Sequence, residues 1–133
     1  MKTYFGDTSY FLALINQADD MYTLATELTQ SLDGAIVTTR FVLVEVGDAL
    51  SQPKHRSSFM NFAGGLEDDV AVTIISGERL LFEEGLALFK RRPDKEWSLT
   101  DCISFAAMRR LDMHEALSSD HHFEQAGFVA LLT

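Results

Sequence analysis

The sequence predicts an α/β domain, a central parallel sheet of about five strands with helices on both faces. Short β-branched or aromatic runs alternate with longer stretches of helical period along the whole chain. No linker, internal repeat or low-complexity stretch divides it, because Pro53 and Pro93 fall in local polar breaks; residues 1–133 therefore read as one domain. An apolar share of 47% beside 23% charged residues suits a single buried core rather than disorder.

Residues 3–6 read as a first strand, followed by a helix over about 9–15. A second helix covers about 20–32, with Met21, Leu24, Ala25, Leu28 and Leu32 in one stripe. Asp33-Gly34 stops it, and Ala35, Ile36, Val37 and Thr38 make a short buried strand. Thr39 supplies the cap of a helix that runs to about residue 50. Pro53 and Lys54 mark a break, then 55–66 is helical and closes at Gly64-Gly65. The continuous β-branched run at 70–75 predicts a strand covered on both faces. Residues 78–91 are amphipathic, with Leu81, Phe82, Gly85, Leu88 and Phe89 expected inward. A helix over 98–111 and strands at 115–118 and 128–132 complete the chain.

Charge narrows the function. Lys and Arg number 11 against 20 Asp and Glu, a formal −9. That sign opposes a general nucleic-acid coat protein, whose affinity comes from neutralising phosphates. It leaves room for an enzyme that meets phosphate through a metal and a few local arginines, and it suits a basic partner. Cys102 is the only cysteine; a lone thiol in an apolar helix reads as a small hydrophobe and points to a reducing cytoplasm. Asp7 interrupts the first apolar stretch, so the N-terminus does not read as a signal peptide. No run approaches the roughly 20 apolar residues that span a bilayer.

Asp7, Glu45, Asp101 and Asp120 stand where apolar segments begin, end or are interrupted. Most have a bland explanation. Asp7 fits an N-cap for the helix near Ser9. Ser98-Leu99-Thr100-Asp101 has the spacing of a capping box, with Asp in place of the usual Glu or Gln. Asp120 fits an Asx turn. Glu45 resists such a reading, because Val42 and Ala49 share its helix face and place it at the border of the buried side. A carboxylate there must be paired, protonated or metal-bound. Arg40 points elsewhere on that helix, and Asp48 reads as an exposed acid. In open α/β sheets ligands gather outside the carboxyl ends of the strands. Three of these acids follow a strand or open a helix at that edge. Convergent acids repel, and a hard divalent cation relieves the repulsion and hydrolyses phosphodiesters.

Four blocks carry a family resemblance: Tyr4-Phe5-Gly6-Asp7-Thr8-Ser9, Thr38-Thr39 with Glu45, Trp97-Ser98-Leu99-Thr100-Asp101-Cys102, and Leu117-Ser118-Ser119-Asp120-His121-His122-Phe123 before Ala126-Gly127-Phe128. Through them nearly the whole chain resembles the PIN domain family, most closely the VapC-type toxins of bacterial toxin–antitoxin pairs. The resemblance implies a three-layer α/β/α fold and Mg2+- or Mn2+-dependent cleavage of single-stranded RNA. It also implies a homodimer and inhibition by a small cognate antitoxin. Asp7, Glu45, Asp101 and Asp120 match the family's acidic quartet, which is both its catalytic and its metal-binding set. Ser118 stands where the family commonly has Thr or Asn, and Thr8 fits its small polar residue after the first Asp. The acidic overall charge departs from expectation for an RNA-cutting enzyme. A catalytically silent PIN-fold binding module and a housekeeping PIN nuclease without an antitoxin share these features. A phospho-acceptor receiver domain does not, since its adjacent acids and late Lys are missing.

The remaining polar and aromatic residues read as follows. His121 and His122 are neighbours whose side chains are expected to diverge, which argues against a metal site there. His55 and His114 read as surface residues. Arg79, Lys90-Arg91-Arg92 and Arg109-Arg110 read as solvated helix faces, one set of which can steer an RNA backbone. Trp97 is expected to pack against the domain, with stacking on a base as the alternative. Phe11, Leu12, Ile15 and the helix over 21–28 offer surplus apolar surface for the antitoxin.

Overall fold

The computed structural model describes residues 2–133. In chain order its elements are β1 (Lys2–Gly6), α1 (Thr8–Ile15), α2 (Tyr22–Ser31), β2 (Gly34–Thr38), α3 (Arg40–Ala49), α4 (Pro53–Asp68), β3 (Val72–Ile74), α5 (Glu78–Arg91), α6 (Leu99–Arg110), β4 (Glu115–Leu117), α7 (His121–Gln125) and β5 (Val129–Ala130). The strands form one sheet in the order β3-β2-β1-β4-β5, every neighbouring pair parallel.

The chain begins in the middle of this sheet and winds outward first through β2 and β3, then on the other side through β4 and β5. The reversal lies between β1 and β4, and such a switch point opens a crevice at the strands' carboxyl ends. Pairing of Gly6 with Leu117, together with the Asp7 N–H donating to the Leu117 carbonyl at 3.1 Å, fixes that edge.

Tyr4, Phe5 and Gly6 are consecutive and all buried, which a strand achieves only when both faces are covered. On one face Phe5 meets Phe123 of α7, ring centroids 6.4 Å apart, and Phe123 meets Phe105 of α6 edge-on at 4.9 Å. On the other, α1 comes so close that a Cβ on Gly6 would lie 2.6 Å from the Phe11 ring. Phe11 itself is 1% exposed and packs on Phe62 of α4, so it is core and not part of a docking surface. Trp97 is 4% exposed, meets Phe105 edge-on, and donates its indole N–H to Gln125 Oε1 at 3.0 Å; it packs and does not stack on a base.

Local chemistry sets the helix starts. The buried Thr39 Oγ1 accepts from the Val42 N–H at 3.2 Å and caps α3 as expected. Thr38 Oγ1 donates to the Gly6 carbonyl at 2.8 Å and ties β2 to the end of β1. Thr39→Ala leaves the Val42 N–H without its partner. It should cost about 1 kcal/mol, read as a lower urea midpoint with an unchanged slope; an unshifted midpoint would show the cap to be idle. Pro53 is the first residue of α4 rather than a break before it, since its missing N–H is no loss there.

Several expectations need correction. The run at 70–75 is not covered on both faces: β3 is an edge strand and Val70 is fully exposed. A β-branched run looks the same in either position. Phe82 and Phe89 are not inward; α5 buries Leu81, Gly85 and Leu88 and leaves both rings at the surface. The turn after Asp120 is a short helix, α7. Of residues 128–132 only Val129 and Ala130 pair as a strand. No helix of the described residues is long and apolar enough to cross a membrane.

Candidate active site

Side chains from four segments meet at the carboxyl ends of the strands. Asp7 sits at the N-cap position of α1 yet makes no capping bond through its side chain. Instead its Oδ2 accepts from Ser118 Oγ at 2.8 Å and from Ser9 Oγ at 3.2 Å. Ser118, wholly buried after β4, also accepts the Asp120 N–H at 3.0 Å. Asp120 caps α7 by accepting the His122 N–H on Oδ1 at 2.9 Å.

Asp101 does form the expected capping box. Its Oδ2 accepts the Ser98 N–H at 3.1 Å, and Ser98 Oγ accepts the Asp101 N–H at 2.9 Å. The same Oδ2 lies 3.1 Å from His122 Nδ1, which is 3.4 Å from Asp120 Oδ1. Capping and site membership are thus compatible for Asp101. Glu45 is half-buried on α3 beside the buried Val42 and Val46, while Ala49 is exposed. Its Oε1 accepts from Thr8 Oγ1.

All four sequence-derived acids therefore belong to one connected region: Glu45 through Thr8 next to Asp7, Asp7 through Ser118 to Asp120, and Asp120 through His122 to Asp101. Both supporting residues, Thr8 and Ser118, are links in it. Among the described residues no Lys or Arg pairs with any of the four; only His121 and His122 stand beside them. Arg40 is engaged by Glu67 and Glu78, and Asp48 is exposed on a separate groove. Burial drives the Asp7 carboxyl up from 3.8 to about 6. The Ser118 hydroxyl, the Thr8 N–H and Ser9 pull it back, and the charge of Asp101 adds to the rise.

The other candidates fall away. Cys102 is buried and its thiol is pushed up, first by burial and then by Asp101, so it is no nucleophile. Arg79, Arg92 and Arg110 pair with Glu83, Asp94 and Glu84. Arg91 and Arg109 line a cavity of about 560 Å3 with Arg110 between α5 and α6. His122 was missed as a neighbour of Asp101. The usable signal was Asp120 as a helix cap with Phe123 as the buried residue, which turns His122 inward.

A profile for the PIN domain matches residues 4–129. The chain belongs to the PIN domain family. This PIN domain is 32% identical over 126 residues to the 23S rRNA-specific endonuclease VapC20 from two strains of Mycobacterium tuberculosis, spanning 94% of this chain and 95% of the relative. It is similar to the crystal structure of VapC20, described as a Sarcin-Ricin loop cleaving toxin, with TM-score 0.85 and 27% identity over 95% of this chain and 96% of that one. VapBC2 from Rickettsia felis, bound to a DNA fragment from their promoter, matches with TM-score 0.65 and 14% identity over 96% of each chain, a likeness of fold.

Proposed function

We propose that this PIN domain is a divalent-metal-dependent endoribonuclease that cleaves single-stranded RNA in the cytoplasm as the toxin of a toxin–antitoxin pair. The observation that carries the proposal is the linked set of Asp7, Glu45, Asp101 and Asp120 at the switch point, which no Lys or Arg among the described residues pairs with. The similarity to an rRNA-specific endonuclease over nearly the full length supports the same reading.

The donor set fits Mg2+ or Mn2+, since it consists of carboxylate oxygens and includes one acid, Asp7, whose burial demands compensation. Asp7 and Asp101 would hold the first ion, with Glu45 and Asp120 as its further ligands, directly or through water. When bound, the ion supplies an acidified water and neutralises charge growing on the phosphate. Ser118 orients Asp7 and the Asp120 backbone, Thr8 orients Glu45, and the Ser98 box fixes Asp101, so the oxygens are placed before substrate arrives.

The antitoxin is assigned to the groove of about 730 Å3 between α3 and α4, where Val44 and Met60 are 62% and 65% exposed. The exposed Phe82, Leu86 and Phe89 of α5 are assigned to the homodimer.

The test is cleavage of an unstructured RNA and of a 23S rRNA fragment carrying the sarcin–ricin loop, the relative's target. Cleavage should vanish in EDTA, return with Mg2+ or Mn2+, and fall by about 10^3 in Asp101→Asn, equivalent to about 4 kcal/mol. Undiminished cleavage by that variant, or in EDTA, would overturn the proposal.

A further inference from the structure

The two adjacent histidines do not diverge. On α7 the rings of His121 and His122 have centroids 4.5 Å apart, and both turn toward the same carboxylate. His121 Nδ1 lies 3.6 Å and His122 Nδ1 3.4 Å from Asp120 Oδ1. One donor atom from each of the three residues lies within 4.8 Å of the other two. Nitrogen and oxygen ligands each about 2.1 Å from a tetrahedral ion are separated by about 3.4 Å. The two separations to Asp120 are therefore those of ligands around one small ion. Asp101 Oδ2, 3.1 Å from His122 Nδ1, adjoins the group.

Hydrogen bonding alone accounts for His122, which bridges Asp101 and Asp120. It does not account for His121, whose side chain is 72% exposed and free to extend into water, yet is folded back onto Asp120. We infer that Asp120, His121 and His122 form a second divalent-ion position, of mixed imidazole and carboxylate character, next to the acidic crevice and sharing Asp120 with it. Two imidazoles and a carboxylate select Zn2+ or another late first-row ion over Mg2+, which takes oxygen ligands. This position goes beyond the nuclease reading and does not depend on it.

Calorimetric titration of the full chain with ZnCl2 and with MgCl2 tests the inference. Zn2+ should bind more tightly than Mg2+. His121→Ala, at a site exposed enough to tolerate the change, should weaken Zn2+ binding by at least about tenfold, and His121→Ala/His122→Gln should remove it. His114→Ala should leave it unchanged, and Asp7→Asn should still bind Zn2+. With Co2+ as a spectroscopic probe, the visible absorption of a four-coordinate site should appear in the native protein and be lost in His121→Ala. Zn2+ affinity unaltered in the double variant would overturn the inference, as would loss of Zn2+ binding in Asp7→Asn, which would place the ion among the acids. If native protein leaves RNA uncut while Asp7→Asn still binds Zn2+, the nuclease proposal fails and this one stands.

Discussion

Asp7→Asn is expected to make the metal-free protein more stable while nearly abolishing RNA cleavage. Asp7 is 5% exposed and receives only hydroxyl and backbone donors, so its charge is desolvated without a cationic partner. The unfolded chain releases this proton near 3.8, and the folded protein holds it to about 6. The folded state therefore binds more protons between those values, and stability falls as pH rises through that window. Above it the full penalty remains, about 3 kcal/mol at 1.36 kcal/mol per unit. Asparagine keeps an oxygen for Ser118 and Ser9 and carries no charge. In EDTA the two proteins should melt alike near pH 4, and the variant should gain on the order of 10 °C by pH 7.5. Mg2+ should close the gap by stabilising only the native protein. Cleavage should drop about 10^3-fold. A variant no more stable than the native protein at pH 7.5 in EDTA would show that Asp7 carries no uncompensated charge.

Gly85→Ala is expected to damage stability and activity together. A Cβ there would lie 2.3 Å from Ile103 Cγ1, 2.7 Å from Ile103 Cα and 2.9 Å from Ile103 N. Two of those contacts are backbone, so no change of rotamer relieves them and α5 and α6 must separate. Overpacking of this kind costs about 3 kcal/mol, a fall in melting temperature on the order of 10 °C. Ile103 follows Asp101 by two residues on α6, so the displacement reaches the crevice, where a shift of about 1 Å costs about 10^2-fold in rate. Ile103→Ala added to the variant removes the Cγ1 contact and leaves the backbone ones, so it should restore little. Full recovery in that double variant would mean the helices are not in backbone contact.

The sheet and the meeting of the four acids at one edge of it were legible in the sequence for one reason. Alternation of short and long segments specifies a parallel sheet, and acids at segment ends then have only one edge on which to stand. What period and composition leave open is lateral position. The run Val70 to Ile75 is equally apolar at an edge or in the centre, and only the pairing of β3 with β2 alone shows which it is. The stripe of α5 is ambiguous in the same way. Leu81, Gly85 and Leu88 define the buried line, and Phe82 and Phe89 fall outside it because Gly85 draws α6 so close. Local capping logic holds for Asp101; Asp120, expected in an Asx turn, caps the helix α7 instead, and the carboxylate of Asp7, expected as a cap, is taken by Ser118 from across the sheet. That bond joins residues 111 apart in the chain, and no local pattern announces it. The histidine pair was misjudged because α7 was read as a turn, and only helical geometry brings both rings over Asp120.

A crystal of the protein grown with Mn2+ and measured at the manganese absorption edge is the most direct test of whether the acids form one cation site. The expected result is an anomalous peak within about 2.5 Å of carboxylate oxygens from both Asp7 and Asp101, with Glu45 and Asp120 in its first or second layer of contacts. Density confined to Asp120, His121 and His122, with Asp7 still held only by the Ser118 and Ser9 hydroxyls, would contradict it.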